Sequence, residues 1–201
     1  MSWIKTIEYN DASTILKKIY NRVKGPDNYV DNVLMIHSLR PHSLVGHMSL
    51  YKNVLHNSNN TLPKWYLEAL GVYVSHINRC DYCVEHHSAG LRRLLNDENK
   101  FKTIIKSIKK DKPSIYFKGC FLEGMKYAKK ITRTHNMVTE NDIHNLRNSG
   151  FSDGEILEVN QVASYFNYVN RTVVGLGVDT SGDRIGLSPN DGDDPDNWNH
   201  E

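Results

Sequence analysis

Apolar side chains recur at helical spacing along nearly the whole chain, and no segment alternates with the two-residue period of a strand. That property restricts the fold to an all-α one. Asp11 is placed to cap a helix over 12–24, with Ile15, Leu16, Ile19, Tyr20 and Val23 on one stripe, and Gly25-Pro26 ends it. Further helices are expected at about 31–39, 41–55, from Thr61-Leu62-Pro63 to about Asn78, and at 80–95, with Pro41 in a first turn, where its missing N–H costs nothing. Phe101, Ile104, Ile105 and Ile108 mark a short amphipathic helix, and another runs from Pro113 to about Thr132. Thr139 with Asp142, and Ser152 with Glu155, have capping spacing. They bound helices at about 140–149 and 153–174, with Gly150-Phe151 as the left-handed turn between them.

The length of 201 residues suits one domain with a full core. No apolar run approaches the roughly 20 residues that span a bilayer. The start, Met1-Ser2-Trp3-Ile4-Lys5, lacks the basic-then-apolar layout of a signal peptide, so a cytoplasmic protein is expected, without membrane attachment. Net charge is +2, unevenly distributed: seven acids and one base follow Val178, leaving 24 bases and 16 acids in the first 178 residues. Lys100, Lys102, Lys106, Lys109, Lys110 and Lys112 cluster, but no recognition motif accompanies them. They read as a solvated helix face, and no nucleic-acid partner is expected. The 179–201 tail is acidic and poor in large apolar residues, so it is expected to be disordered or laid across a neighbouring subunit.

Reactive side chains concentrate between Leu67 and Leu91: Glu68, His76, Cys80, Tyr82, Cys83, Glu85, His86 and His87. Positions three, four and seven apart share a helix face, so Cys80, Cys83 and His87 present two thiols and an imidazole together. Asn78 and Asp81 are local cap candidates that would put the pair in a first turn, where backbone N–H groups stabilise a thiolate. Lowering a thiol pKa from about 8.5 to about 6.5 raises its thiolate fraction at pH 7 from roughly 3% to roughly 75%. His87 as the i+4 neighbour favours Cys83 as the attacking thiol. Glu68 reaches the pair only if its helix and the next fold back as a hairpin. A zinc site, or two inert buried cysteines, are the alternatives; zinc ligands usually come from separate turns with different spacing. His86 reads as a packing residue, and His76 as a structural histidine that could approach the site. Cys120 reads as core, and Arg171 as the partner of a buried carboxylate or a subunit contact. His37, His42, His47 and His56 lack a carboxylate or cysteine in their vicinity along the sequence and do not read as a second site.

The pattern of Glu68, Cys80-x-x-Cys83 and His87 resembles the active-site signature of the alkylhydroperoxidase D-like proteins in the carboxymuconolactone decarboxylase superfamily. The stretch from Val74 to His87 is most similar to the branch called peroxidase-related enzymes. Ile36-His37-Ser38-Leu39-Arg40-Pro41, the run from Val138 to Ile156, and Tyr165-Phe166-Asn167-Tyr168-Val169-Asn170-Arg171 extend the resemblance over about residues 30–178. It implies an orthogonal helical bundle built on helical hairpins, a homo-oligomer (dimer, trimer or hexamer) and reduction of small hydroperoxides through a Cys–Cys disulfide cycle. No cofactor is implied beyond the dithiol, which a thiol or dithiol donor protein would re-reduce. By position, Cys83 would be the peroxidatic thiol, Cys80 the resolving one, and Glu68 and His87 the proton relay. Alkylhydroperoxidase D itself has a histidine where this chain has Tyr82. A phenol of pKa about 10 is no base at neutral pH, so Tyr82 is expected to orient water or substrate instead. The superfamily's decarboxylase branch lacks the paired cysteines, which argues against that activity. A redox switch or metal-binding helical protein is the non-enzymatic alternative.

Overall fold

The computed structural model describes residues 2–187, 198 and 199, and among these there are nine α-helices and no strand. Helix α1 (Thr14–Val23) starts later than Asp11 predicts, because Ser13 is the cap and its Oγ accepts from the Leu16 N–H at 3.3 Å. Its buried face is Leu16, Tyr20 and Val23, whereas Ile15 is exposed. Helix α2 covers only Asn32–Met35. The chain then turns, and Arg40 is forced out of the helical region by Pro41, which opens α3 (Pro41–Tyr51). A π-helical turn, Lys52–His56, extends α3. Helix α4 (Lys64–Ile77) and helix α5 (Asp81–Leu95) are joined at Asn78-Arg79-Cys80, with Arg79 in the left-handed region (φ 57°).

Helix α6 (Glu98–Lys109) is capped by Asp97 and shows its lysines to solvent. Helix α7 (Gly119–Thr134) is shorter than expected: the chain makes a separate 3-10 turn at Pro113–Ile115, and Gly119 (φ 52°) keeps the two apart. Both capping boxes form. Thr139 and Asp142 open α8 (Glu140–Ser149), Gly150 ends it at φ 111°, and Ser152 with Glu155 opens α9 (Asp153–Gly175).

Helix α4 is the centre of the main core. Every residue from Tyr66 to Ser75 is buried, as befits a helix packed on all sides. It packs against α5, α7 and α9. Helix α5 folds back along it, so that Gly90 comes beside Glu68. Helix α9 runs parallel to α4, and Gly71 permits the close approach: a Cβ there would sit 2.2 Å from the Phe166 ring. One turn on, Asn170 Nδ2 donates to Ser75 Oγ at 3.0 Å. A second cluster of Leu16, Tyr20, Val23, Leu34, Leu44 and Met48 includes Trp198 from the C-terminal segment. The described part of that segment, residues 179–187, 198 and 199, lies on its own chain's helices, and the remainder of the expected tail lies outside the described residues. Trp198 N–H bonds the Arg22 carbonyl at 2.6 Å, and the Arg22 guanidinium covers its ring at 4.2 Å. Among the described residues no helix is long and apolar enough to cross a membrane.

Candidate active site

The α4–α5 hairpin brings together the residues that the sequence separates. Cys80 is the N-cap of α5 and Cys83 stands in its first turn, so neither Asn78 nor Asp81 takes the capping position. The two sulfurs are 3.0 Å apart, with both cysteines reduced and buried. The hydrogen bond from Cys83 draws the Cys80 thiol below its ordinary pKa against the effect of burial, with the Cys83 backbone N–H and Asn170 adding to the pull. That bond and burial push the Cys83 thiol well up. Thiolate character is thus favoured at Cys80, the N-cap of α5, over Cys83.

Cys83 nevertheless is the cysteine that faces the cavity. The cavity measures about 50 Å3, and its wall includes Cys83, Glu68, His87, His47, Tyr51 and Leu187. On the measure in which one water needs about 10–15 Å3, this holds a few water-sized groups. Cys80 and His76 are not on its wall. His76 occupies the last turn of α4, and the break at Arg79 removes the straight helix that would have aligned it with the cysteines.

His87 Nδ1 lies 2.8 Å from Glu68 Oε2. Burial raises the Glu68 carboxyl, but the His87 charge and hydrogen bond outweigh it, with help from His56 and Arg93, and hold it below the usual range. An ionised carboxylate only accepts, so His87 Nδ1 carries the hydrogen and Nε2 is left for other chemistry. Phe166 meets the His87 ring edge-on at 4.7 Å, and Tyr51 does so at 6.1 Å.

Several site residues are absent from the sequence reading. His56 Nε2 stands 3.9 Å from Glu68 Oε1, so the carboxylate lies between two histidines. The π turn makes this possible by bringing His56 against Tyr51, ring centroids 4.9 Å apart. His47 lines the cavity and meets His37 at 5.0 Å. Of the four histidines set aside on sequence grounds, His56 thus does border a carboxylate, on the helix that follows it, and His47 lines the cavity. Asn170 hydrogen-bonds toward both thiols and accepts from Asn78 Nδ2 at 3.0 Å. Tyr82 O–H donates to Asp183 Oδ2 at 2.6 Å and its oxygen accepts from the Val33 N–H at 3.1 Å, so its hydroxyl is engaged by the protein. His86 stacks on Tyr82 at 4.5 Å and faces the same Asp183 oxygen at 3.2 Å. Arg171 donates to Asn167 on its own helix rather than to a carboxylate, and Cys120 packs against the main core. No group of three or more metal-type side chains is arranged to hold an ion among the described residues.

No protein-family model matches the chain. Nor does any curated protein match it. Solved structures do. A peroxidase-related protein from Silicibacter sp. TM1040 is 26% identical over 75% of this chain and 76% of its own, with a TM-score of 0.66. An alkylhydroperoxidase AhpD core protein from Ralstonia eutropha JMP134, described as peroxidase-related, aligns over 89% and 91% at 19% identity and a TM-score of 0.73. The debrominase Bmp8 aligns over 87% and 89% at 15% identity and a TM-score of 0.67. A central buried helix with a cysteine pair at the start of its hairpin partner stands on a helical scaffold similar to those of these peroxidase-related, alkylhydroperoxidase D-like structures.

Proposed function

We propose that the protein is a thiol-dependent oxidoreductase that reduces small hydroperoxides through a Cys80–Cys83 disulfide cycle. The observation that carries this reading is the 3.0 Å approach of two thiols, one on a cavity wall shared with the His87–Glu68 pair. The peroxidase-related names of the first two structural neighbours support it at the level of the family.

The Cys80 thiolate takes the Cys83 proton across the sulfur–sulfur contact, and Cys83 attacks the outer oxygen of the hydroperoxide. The O–O bond breaks, Cys83 becomes a sulfenic acid, and the alkoxide leaves with a proton from His87, whose charge Glu68 balances. Cys80 then attacks the Cys83 sulfur, hydroxide leaves with the Cys80 proton as water, and a disulfide remains. The two electrons come from the thiols, and an external thiol or dithiol donor protein restores them. The pair is placed for this exchange because one helix turn separates the residues. Tyr82, in the same first turn of α5, has its hydroxyl engaged by Asp183 and the Val33 N–H rather than acting as a base.

Burial of both thiols favours a second reading, a dithiol that switches conformation without turnover. Intact mass after stoichiometric peroxide at neutral pH decides between them. Loss of two hydrogens in the wild type, a trapped sulfenic acid at Cys83 in Cys80→Ser, and repeated turnover with lipoyl or thioredoxin donors are expected. Thiols left untouched by peroxide would defeat the enzyme reading. Because a debrominase shares the fold, 2,3,4-tribromopyrrole, which a Bmp8 variant binds, belongs in the same assay as hydrogen peroxide and cumene hydroperoxide.

A further inference from the structure

Residues 179–187 cross α2 and α5 and end at the cavity. Asp183 pins this strap. Its side chain is only 1% exposed, and its carboxylate accepts from Tyr29 O–H at 2.6 Å, Tyr82 O–H at 2.6 Å and the Asn32 N–H at 3.1 Å, with His86 Nε2 at 3.2 Å. Asn32 Nδ2 adds bonds to the carbonyls of Asp179 (2.9 Å) and Ser181 (3.2 Å), and Arg93 donates to the Gly186 carbonyl. Gly186, at φ 99°, brings the strap down on α5: a Cβ there would lie 3.3 Å from that of Ala89. The next residue, Leu187, becomes part of the wall around Cys83.

Two features separate this arrangement from ordinary tail packing. The pin closes on Tyr82, one of the two residues between the paired cysteines, and on His86, the neighbour of His87, so one carboxylate fixes both the strap and the helix turn that bears the thiols. The residue that the strap then delivers is apolar and lies on the cavity wall, where it subtracts volume without adding a reactive group.

We propose that the strap is a size filter over Cys83. Asp183 is its positioning residue and Leu187 the specificity-determining one, and together they limit the site to compact hydroperoxides and exclude bulky ones. The choice of substrate rests on the peroxidase reading above, but the filter itself does not. A cavity of about 50 Å3 accommodates hydrogen peroxide or a short alkyl hydroperoxide and leaves no room for an aromatic ring while Leu187 stays in place.

The test measures access directly. In a Cys120→Ser background, the reduced protein is alkylated with iodoacetamide and, separately, with pyrenyl maleimide, and modification at Cys83 is followed by peptide mass. Loss of even one charge-assisted hydrogen bond shifts a local opening equilibrium by about tenfold or more. Asp183→Ala is therefore expected to raise the pyrenyl maleimide rate by about tenfold relative to iodoacetamide. Leu187→Ala, which keeps the pin, shifts the ratio the same way, and both variants raise the turnover of cumene hydroperoxide relative to hydrogen peroxide. Should Asp183→Ala fail to fold, Leu187→Ala carries the test alone. A bulky-to-small ratio unchanged in folded variants overturns the filter. A shifted ratio in a protein that turns over no hydroperoxide keeps the filter and removes the peroxidase reading.

Discussion

Glu68 concentrates the electrostatics of the site. This carboxylate is buried at the edge of the cavity, yet it stays ionised because His87 bonds one oxygen and His56 approaches the other. Glu68→Gln keeps the shape but lets His87 adopt either tautomer and removes the charge that stabilises its imidazolium. Peroxide oxidation of the pair should slow by about 10²–10³-fold, within the usual range for a lost acid–base group. His56→Asn should cost less, since its separation of 3.9 Å exceeds hydrogen-bond length. Stopped-flow rates across pH check both, and equal losses in the two variants would contradict the ordering. The thiols offer a separate check. Cys83→Ala removes the donor that stabilises the Cys80 thiolate, so the pH-rate profile of Cys80 alkylation should move to higher pH.

Helices α4 and α9 meet through Gly71 and Phe166, and Phe166 in turn holds the edge of His87. A methyl at position 71 overlaps the ring, so the helices must separate or Phe166 must turn. Gly71→Ala should cost about 1–3 kcal/mol in urea unfolding, as overpacked cores do. It should also disturb His87, seen as slower thiol oxidation in the folded fraction. Capping was legible at this scale. Ser152 and Thr139 announce α9 and α8 because a cap depends on residues three apart in the chain. Helix α1 was misplaced because Asp11 and Ser13 are both good caps, and only packing of Leu16, Tyr20 and Val23 selects the frame.

For the molecule as a whole, the C-terminal strap ties α2, α5 and the site together through one buried carboxylate. Burial raises the Asp183 carboxyl, but bonds from His86, Tyr29 and Tyr82 more than compensate and leave it below the ordinary aspartate range. A depressed folded value means that the unfolded chain takes up the proton more readily. The stabilisation is therefore complete above the ordinary carboxyl pKa of about 3.9 and disappears as pH falls through the folded value. Wild type should lose urea resistance between about pH 5 and about pH 3, and Asp183→Asn should lose less over that interval. Parallel curves would show that Asp183 contributes nothing to the acid transition.

Sequence alone determined the helical class, most helix boundaries, and the grouping of Glu68, Cys80, Cys83 and His87. Each depends on periodicity, capping or spacing along one or two adjacent helices. Only the tertiary structure decided which thiol faces the cavity, that His56 approaches Glu68, and that Asp183 meets Tyr82 and His86. Those outcomes depend on distances between segments far apart in the chain. A buried carboxylate in a polar, acidic tail has no local signature, because its partners, Tyr29, Tyr82 and His86, become neighbours only when the chain folds.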